Sequence, residues 1–185
     1  MGGQAAPRKD RRSCPAAQDQ HGCRAWRQIG PVREFARGRR GTCFRAVAVG
    51  GGGIGLAFTL TITAGPADID ELGHVNNAVW VRWIQDLATA HWRAVAPADQ
   101  IAAYVWVVTR HEIDYRGNVS VGETVTGKTW VPGKPYGARF DRHVRFTGAD
   151  GKVKVEAVTT WALIDRATGR LLRVRDEIAG PFLEG

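Results

Sequence analysis

One long helical pattern stands in a chain otherwise patterned as strands, and this imbalance narrows the possible folds more than any other feature. Asn76 or Asn77 supplies an N-cap, and from there Val79, Trp83, Leu87 and His91 recur at four-residue spacing to about Val95, with Pro97 just beyond. Val79, Trp80, Trp83, Ile84 and Leu87 form one broad apolar stripe. Upstream, residues 58–64 carry Thr59, Thr61, Ile62 and Thr63, which suit a strand and penalise a helix. Downstream, residues 104–115, 123–131, 138–147 and 153–164 are rich in Val, Thr, Trp and Tyr. Arg116-Gly117-Asn118, Pro132-Gly133-Lys134-Pro135 and Ala149-Asp150-Gly151 break them with turn-forming residues. Turns this short join neighbouring strands head to tail. The expectation is therefore an α+β domain in which a mainly antiparallel, five-strand sheet packs one face on a single helix.

Charge separates the chain into two parts. The whole carries a net charge of +8. Residues 1–50 hold 11 Lys/Arg against Asp10, Asp19 and Glu34, whereas residues 51–185 hold 15 basic and 15 acidic side chains. A body without excess charge lacks the basic face that phosphate neutralisation requires, so no nucleic-acid partner is expected for it. No stretch approaches the ~20 apolar residues needed to cross a bilayer, and no membrane partner is expected either.

Cys14, Cys23 and Cys43 all lie in the same basic segment, at spacings that match no zinc or redox motif. Their odd number, and the lack of a secretory apolar run near Met1, favour a reducing, cytoplasmic setting. The segment is Arg-rich like a transit peptide, but Ser13 is its one serine. Residues 1–53 are read as a disordered basic extension ending in a glycine run, and residues 54–185 as the folded domain.

Gly50, Gly52 and Gly55 spell G-x-G-x-x-G after the strand-like residues 45–49. A dinucleotide fingerprint needs its third glycine in the first turn of a helix, where backbone N–H groups hold the pyrophosphate. Strand-like residues follow instead, so the glycines are read as a linker and no cofactor is expected.

The densest chemistry lies between the first body strand and the helix: Asp68, Asp70, Glu71, Gly73, His74, Asn76 and Asn77 fall within ten residues. Asx turns and helix caps explain the amides and some of the acids. They explain Gly73-His74 between carboxylates less well. A carboxylate facing the first turn of a helix also sits near unpaired backbone N–H groups, so one loop could supply both a base and an oxyanion site. His91, His111 and His143 have no metal-ligand spacing, no metal is expected, and there is no Gly-x-Ser-x-Gly elbow.

The run D-I-D-E-L-G-H-V-N-N-A-V-W-V-R-W-I-Q-D, residues 68–86, resembles the signature of hotdog-fold acyl thioesterases of the 4-hydroxybenzoyl-CoA thioesterase-like family and the matching stretch of acyl-ACP thioesterases. Ile113-Asp114-Tyr115-Arg116, Gly122-Glu123, and Trp161 to Asp165 with Thr168-Gly169-Arg170 extend the similarity over about residues 56–183. The resemblance implies an antiparallel sheet wrapped around one long central helix, with protomers paired as a homodimer or homotetramer and the site at their interface.

It further implies that Asp70 is the catalytic carboxylate, as general base on water or as nucleophile on the thioester carbonyl. Backbone N–H groups of Asn76, Asn77 and Ala78 would polarise that carbonyl. His74 is a candidate for orienting water or the carboxylate, and Gly73, Ala78 and Trp80 for lining the substrate. Trp80 stands where many members have tyrosine. Arg110, Arg116, Lys134, Arg139 and Arg142 are candidate cations for CoA phosphates. The function so implied is hydrolysis of an acyl- or aroyl-CoA thioester to free acid and CoA. The alternatives are an acyl-ACP thioesterase, a non-catalytic hotdog module that binds acyl groups, and a dehydratase of the same fold.

Overall fold

The computed structural model describes residues 57–183 together with the backbone course of residues 44–49. The helical pattern becomes α1, Asn77–Val95, and its buried residues are Val79, Trp80, Trp83, Ile84, Leu87, Ala88, His91 and Trp92. That is the stripe read from the spacing, extended by one turn.

The strands are β1 (Phe44–Val49), β2 (Ala57–Thr63), β3 (Tyr104–Tyr115), β4 (Thr124–Trp130), β5 (Arg139–Gly148) and β6 (Val153–Asp165). They form one sheet in the order β1-β2-β4-β5-β6-β3, and each pair is antiparallel. Period-two burial in β2, β4 and β5 turns one face of each towards the core. Phe58, Leu60, Ile62, Val125, Val144 and Phe146 meet α1 there, around Trp80, Trp83 and Leu87.

Gly127 on β4 marks the closest approach of helix and sheet: a Cβ there would lie 2.6 Å from the Phe146 ring and 3.1 Å from Leu87 Cδ2. The strand can present only a hydrogen atom at that point.

Three features differ from the single-helix, five-strand expectation. A short helix α2, Ala98–Ala103, leads straight into β3. A C-terminal helix α3, Asp176–Leu183, buries Ile178, Ala179 and Phe182 in a second core with Trp92, Val131, Phe140, Leu163 and Val174. The sixth strand is β1, which pairs with β2 from Phe44↔Ile62 to Val49↔Ala57 although it precedes the glycine run taken as the domain boundary. The rest of that boundary reading, residues 1–43 and 50–53, lies outside the described residues. Among the described residues no helix is long and apolar enough to cross a membrane.

Candidate active site

The loop before α1 is built on two aspartates with different tasks. Asp68 ends a 3-10 turn, Pro66–Asp68, and is buried at 4% exposure. Its Oδ2 accepts from the Gly65 N–H at 2.9 Å and its Oδ1 from Arg82 of α1, while its carbonyl accepts from the Asn76 N–H at 2.9 Å. Asp68 thus ties loop to helix.

Asp70 is half-buried and heads a tight reversal. Its N–H donates to His74 O at 2.8 Å and its carbonyl accepts from Gly73 N–H at 3.1 Å. Its Oδ1 accepts from Leu72 N–H at 2.9 Å and His74 N–H at 3.2 Å. These bonds use one carboxylate oxygen; Oδ2 has no partner among the described residues. Gly73 carries φ of +78°, a left-handed conformation that a side chain would strain, and the space beside it is open. The glycine permits the turn. Leu72, at its tip, is 75% exposed.

At the helix start Asn76 is the N-cap, its Oδ1 accepting from Ala78 N–H at 2.8 Å. Its carbonyl accepts from Val79 and Trp80, and its own N–H is taken by Asp68. Of the three amides expected to polarise a carbonyl, those of Asn76 and Ala78 are therefore already engaged. The Asn77 N–H has no partner among the described residues and points out of the positive end of the helix dipole.

The His74 ring does not supply the bond that orients Asp70; its backbone N–H does, and its Nε2 lies 3.3 Å from Asn118 Nδ2. Asn118 belongs to the loop before β4, which also accepts the Val75 N–H at Val119 O, 2.8 Å. The sequence marked Asn118 only as a turn residue, since a contact 44 positions away leaves no local spacing signal. Trp80 is 2% exposed and packs on Trp83 at 4.9 Å and Phe146 at 5.3 Å, so its indole is part of the core.

The candidate phosphate cations do not converge on this loop. Arg110 pairs with Glu112, and Arg116 with Glu156 at 2.8 Å. Arg142 is buried on the sheet's inner face. Asp86 on α1 is an acid that the spacing did not single out, and burial pushes its carboxyl up against the opposing influence of Arg82. Two cavities among the described residues, one beside the second half of α1 and one on the outer face of β3, β5 and β6, are not lined by residues of this loop. Among the described residues no cluster of His, Cys, Asp and Glu could hold a metal ion.

Fold and loop together match a known family. The family model for the acyl-ACP thioesterase N-terminal domain matches residues 58–182. The chain belongs to that family. Its sheet around one long helix is the hotdog fold of thioesterases. No curated protein matches it. A Staphylococcus aureus protein solved in complex with CoA is similar at 17% identity and a TM-score of 0.62, covering 71% of this chain and 85% of its own. A 1,4-dihydroxy-2-naphthoyl-CoA thioesterase from Synechocystis is similar at 13% identity and a TM-score of 0.59, covering 68% and 94%. An acyl-ACP thioesterase from Bacteroides thetaiotaomicron is similar at 24% identity and a TM-score of 0.56, covering 64% of this chain and 49% of that one. The match thus spans about half the length of the Bacteroides enzyme.

Proposed function

We propose that this chain is a cytoplasmic acyl-CoA thioesterase, hydrolysing an acyl or aroyl thioester to free acid and CoA with Asp70 as general base. The observation that carries the proposal is the division of labour in the Asp70 carboxylate. Two backbone amides hold Oδ1, and among the described residues Oδ2 has no partner, one loop away from the Asn77 N–H, which is likewise unengaged among them. Oδ2 removes a proton from water as the water oxygen bonds to the thioester carbon, and Asn77 N–H donates to the carbonyl oxygen as it gains charge. Collapse of the adduct expels the thiolate, which takes up the proton held on Asp70 to leave as CoA thiol and so restores the carboxylate. His74 and Asn118 act by holding the loop, and Gly73 by permitting its turn.

A homodimer or homotetramer completes the site in this reading. The support is that β3 is a sheet edge twelve residues long, with Val107 and Tyr115 exposed. Light scattering at micromolar concentration should give a dimer or larger, and a monomer would remove the interfacial site.

Acyl-ACP is the second carrier to consider, because the matching family model is that of acyl-ACP thioesterases. The absence of net charge over residues 51–185 favours CoA, since an acidic carrier protein calls for a basic docking face. Thiol release from acyl-CoAs and the same acyl-ACPs, measured side by side, tests the choice. Higher kcat/KM on acyl-CoA supports the proposal, and turnover of acyl-ACP alone overturns it. No thiol release from either would leave an acyl-binding module and no enzyme.

A further inference from the structure

Inner-face positions of β5 read Phe140, Arg142, Val144, Phe146, so a guanidinium occupies a core position in an otherwise apolar row. Arg142 is 6% exposed. Its Nη1 donates to His91 Nδ1 at 2.8 Å and Thr129 Oγ1 at 3.0 Å, and its Cζ lies 5.2 Å from the Phe182 ring centroid. All these partners are neutral. Because an arginine only donates, His91 must accept at Nδ1 and carry its proton on Nε2. Burial and the neighbouring Arg142 pull that imidazole down to about 2. Among the described residues no carboxylate pairs with Arg142, and its Nε and Nη2 have no protein acceptor.

The same guanidinium lines a cavity of about 250 Å³, walled by Trp92, Trp106, Phe140, Trp161 and Phe182. Arg93 and Arg166 add two more cations to the lining. Asp141 is its one acid, and the Asp141 Oδ1 already accepts from Tyr136 Oη and Thr160 Oγ1. A wall with donors to spare, an unpaired buried charge and a ring-lined body selects a ligand with one negative head and a small apolar remainder.

We propose that this cavity is a binding site for a small apolar monocarboxylate, its carboxylate paired with Arg142 and its body held among the aromatic rings. The site uses no residue of the Asp70 loop and does not rest on the hydrolase reading. Burial pulls Arg142 down to about 9, which leaves it a cation at neutral pH, so a bound anion relieves a standing cost of desolvation.

The probes are benzoate and hexanoate, with benzamide and hexanamide as uncharged partners of the same shape, titrated calorimetrically into the full chain while tryptophan fluorescence is followed. The acids should saturate one site per chain and bind at least about tenfold more tightly than the amides. Arg142→Gln should bring benzoate to the level of benzamide in a protein with unchanged circular dichroism. Three results would overturn the proposal: equal affinity of acid and amide, no saturable binding of benzoate at about 10 mM, or unchanged benzoate affinity in folded Arg142→Gln. If Arg142→Gln does not fold, the comparison of acid with amide in the unaltered chain decides alone.

Discussion

At the start of α1 the half-buried Asp70 carboxylate is held by backbone amides, while along its second half a guanidinium is buried with only neutral partners among the described residues. Asp70 has two N–H donors on one oxygen and the Asn77 N–H close in sequence, so its charge is positioned with a face left open. Arg142 has two acceptors on one nitrogen and no counter-charge among the described residues. The contrast teaches that one helix can organise two kinds of site: an exposed loop suited to proton transfer, and a ring-walled cavity suited to neutralising an anion. Between them lies the packed middle of the helix, which keeps the two ends in register.

That middle is where the comparison breaks most severely. Gly127→Val sets a branched side chain against Phe146 and Leu87, and overpacking of this kind costs about 3 kcal/mol. Urea unfolding should show that loss, and both thiol release and benzoate binding should weaken together, because neither end keeps its helix in place. Loss at one end alone would mean that the two sites do not share this support.

The cavity end can be addressed separately through pH. His91 titrates at about 6.5 in an unfolded chain but is held down to about 2 in the fold. Its depressed value means that the unfolded chain binds the proton first: stability is complete above pH 6.5 and falls progressively as pH drops below it towards 2. Between pH 6.5 and 5 the loss should reach about 2 kcal/mol, and His91→Gln should flatten the dependence. An unchanged slope in the variant would place the acid sensitivity elsewhere.

A smaller effect is expected at the loop end. Asn76→Ala removes the cap acceptor from Ala78 N–H and should cost about 1 kcal/mol by thermal unfolding. It should leave benzoate affinity at the other end unchanged, and a parallel loss there would erase the separation of the two ends.

How legible each end was in the sequence follows from the range of the contacts involved. The Asp70 loop, the Asn76 cap and the helix to Val95 are local, so residue type and spacing within a dozen positions placed them. The engagement of Asn76 and Ala78 amides was not legible, because it depends on which of two possible caps forms. Arg142 meets His91 across 51 residues. Its period-two place among Phe140, Val144 and Phe146 was a visible signal of inward orientation, but arginine as a residue type speaks for the surface. Helix α3 was hidden for a similar reason: eight residues containing Pro181 are too few for a periodic pattern, and Phe182 is buried by α1 and β5, far away in the chain.

The central claim, that the loop end carries the chemistry, is tested most directly by kcat for Asp70→Asn beside Asp68→Asn on the best thioester substrate. Asparagine keeps the acceptor that Leu72 and His74 need and removes the negative charge. The account predicts a fall in kcat of at least ~10²-fold for Asp70→Asn with KM little changed, and a far smaller fall for Asp68→Asn. Near-unaltered kcat in a folded Asp70→Asn protein, or an equal loss in both variants, would contradict it.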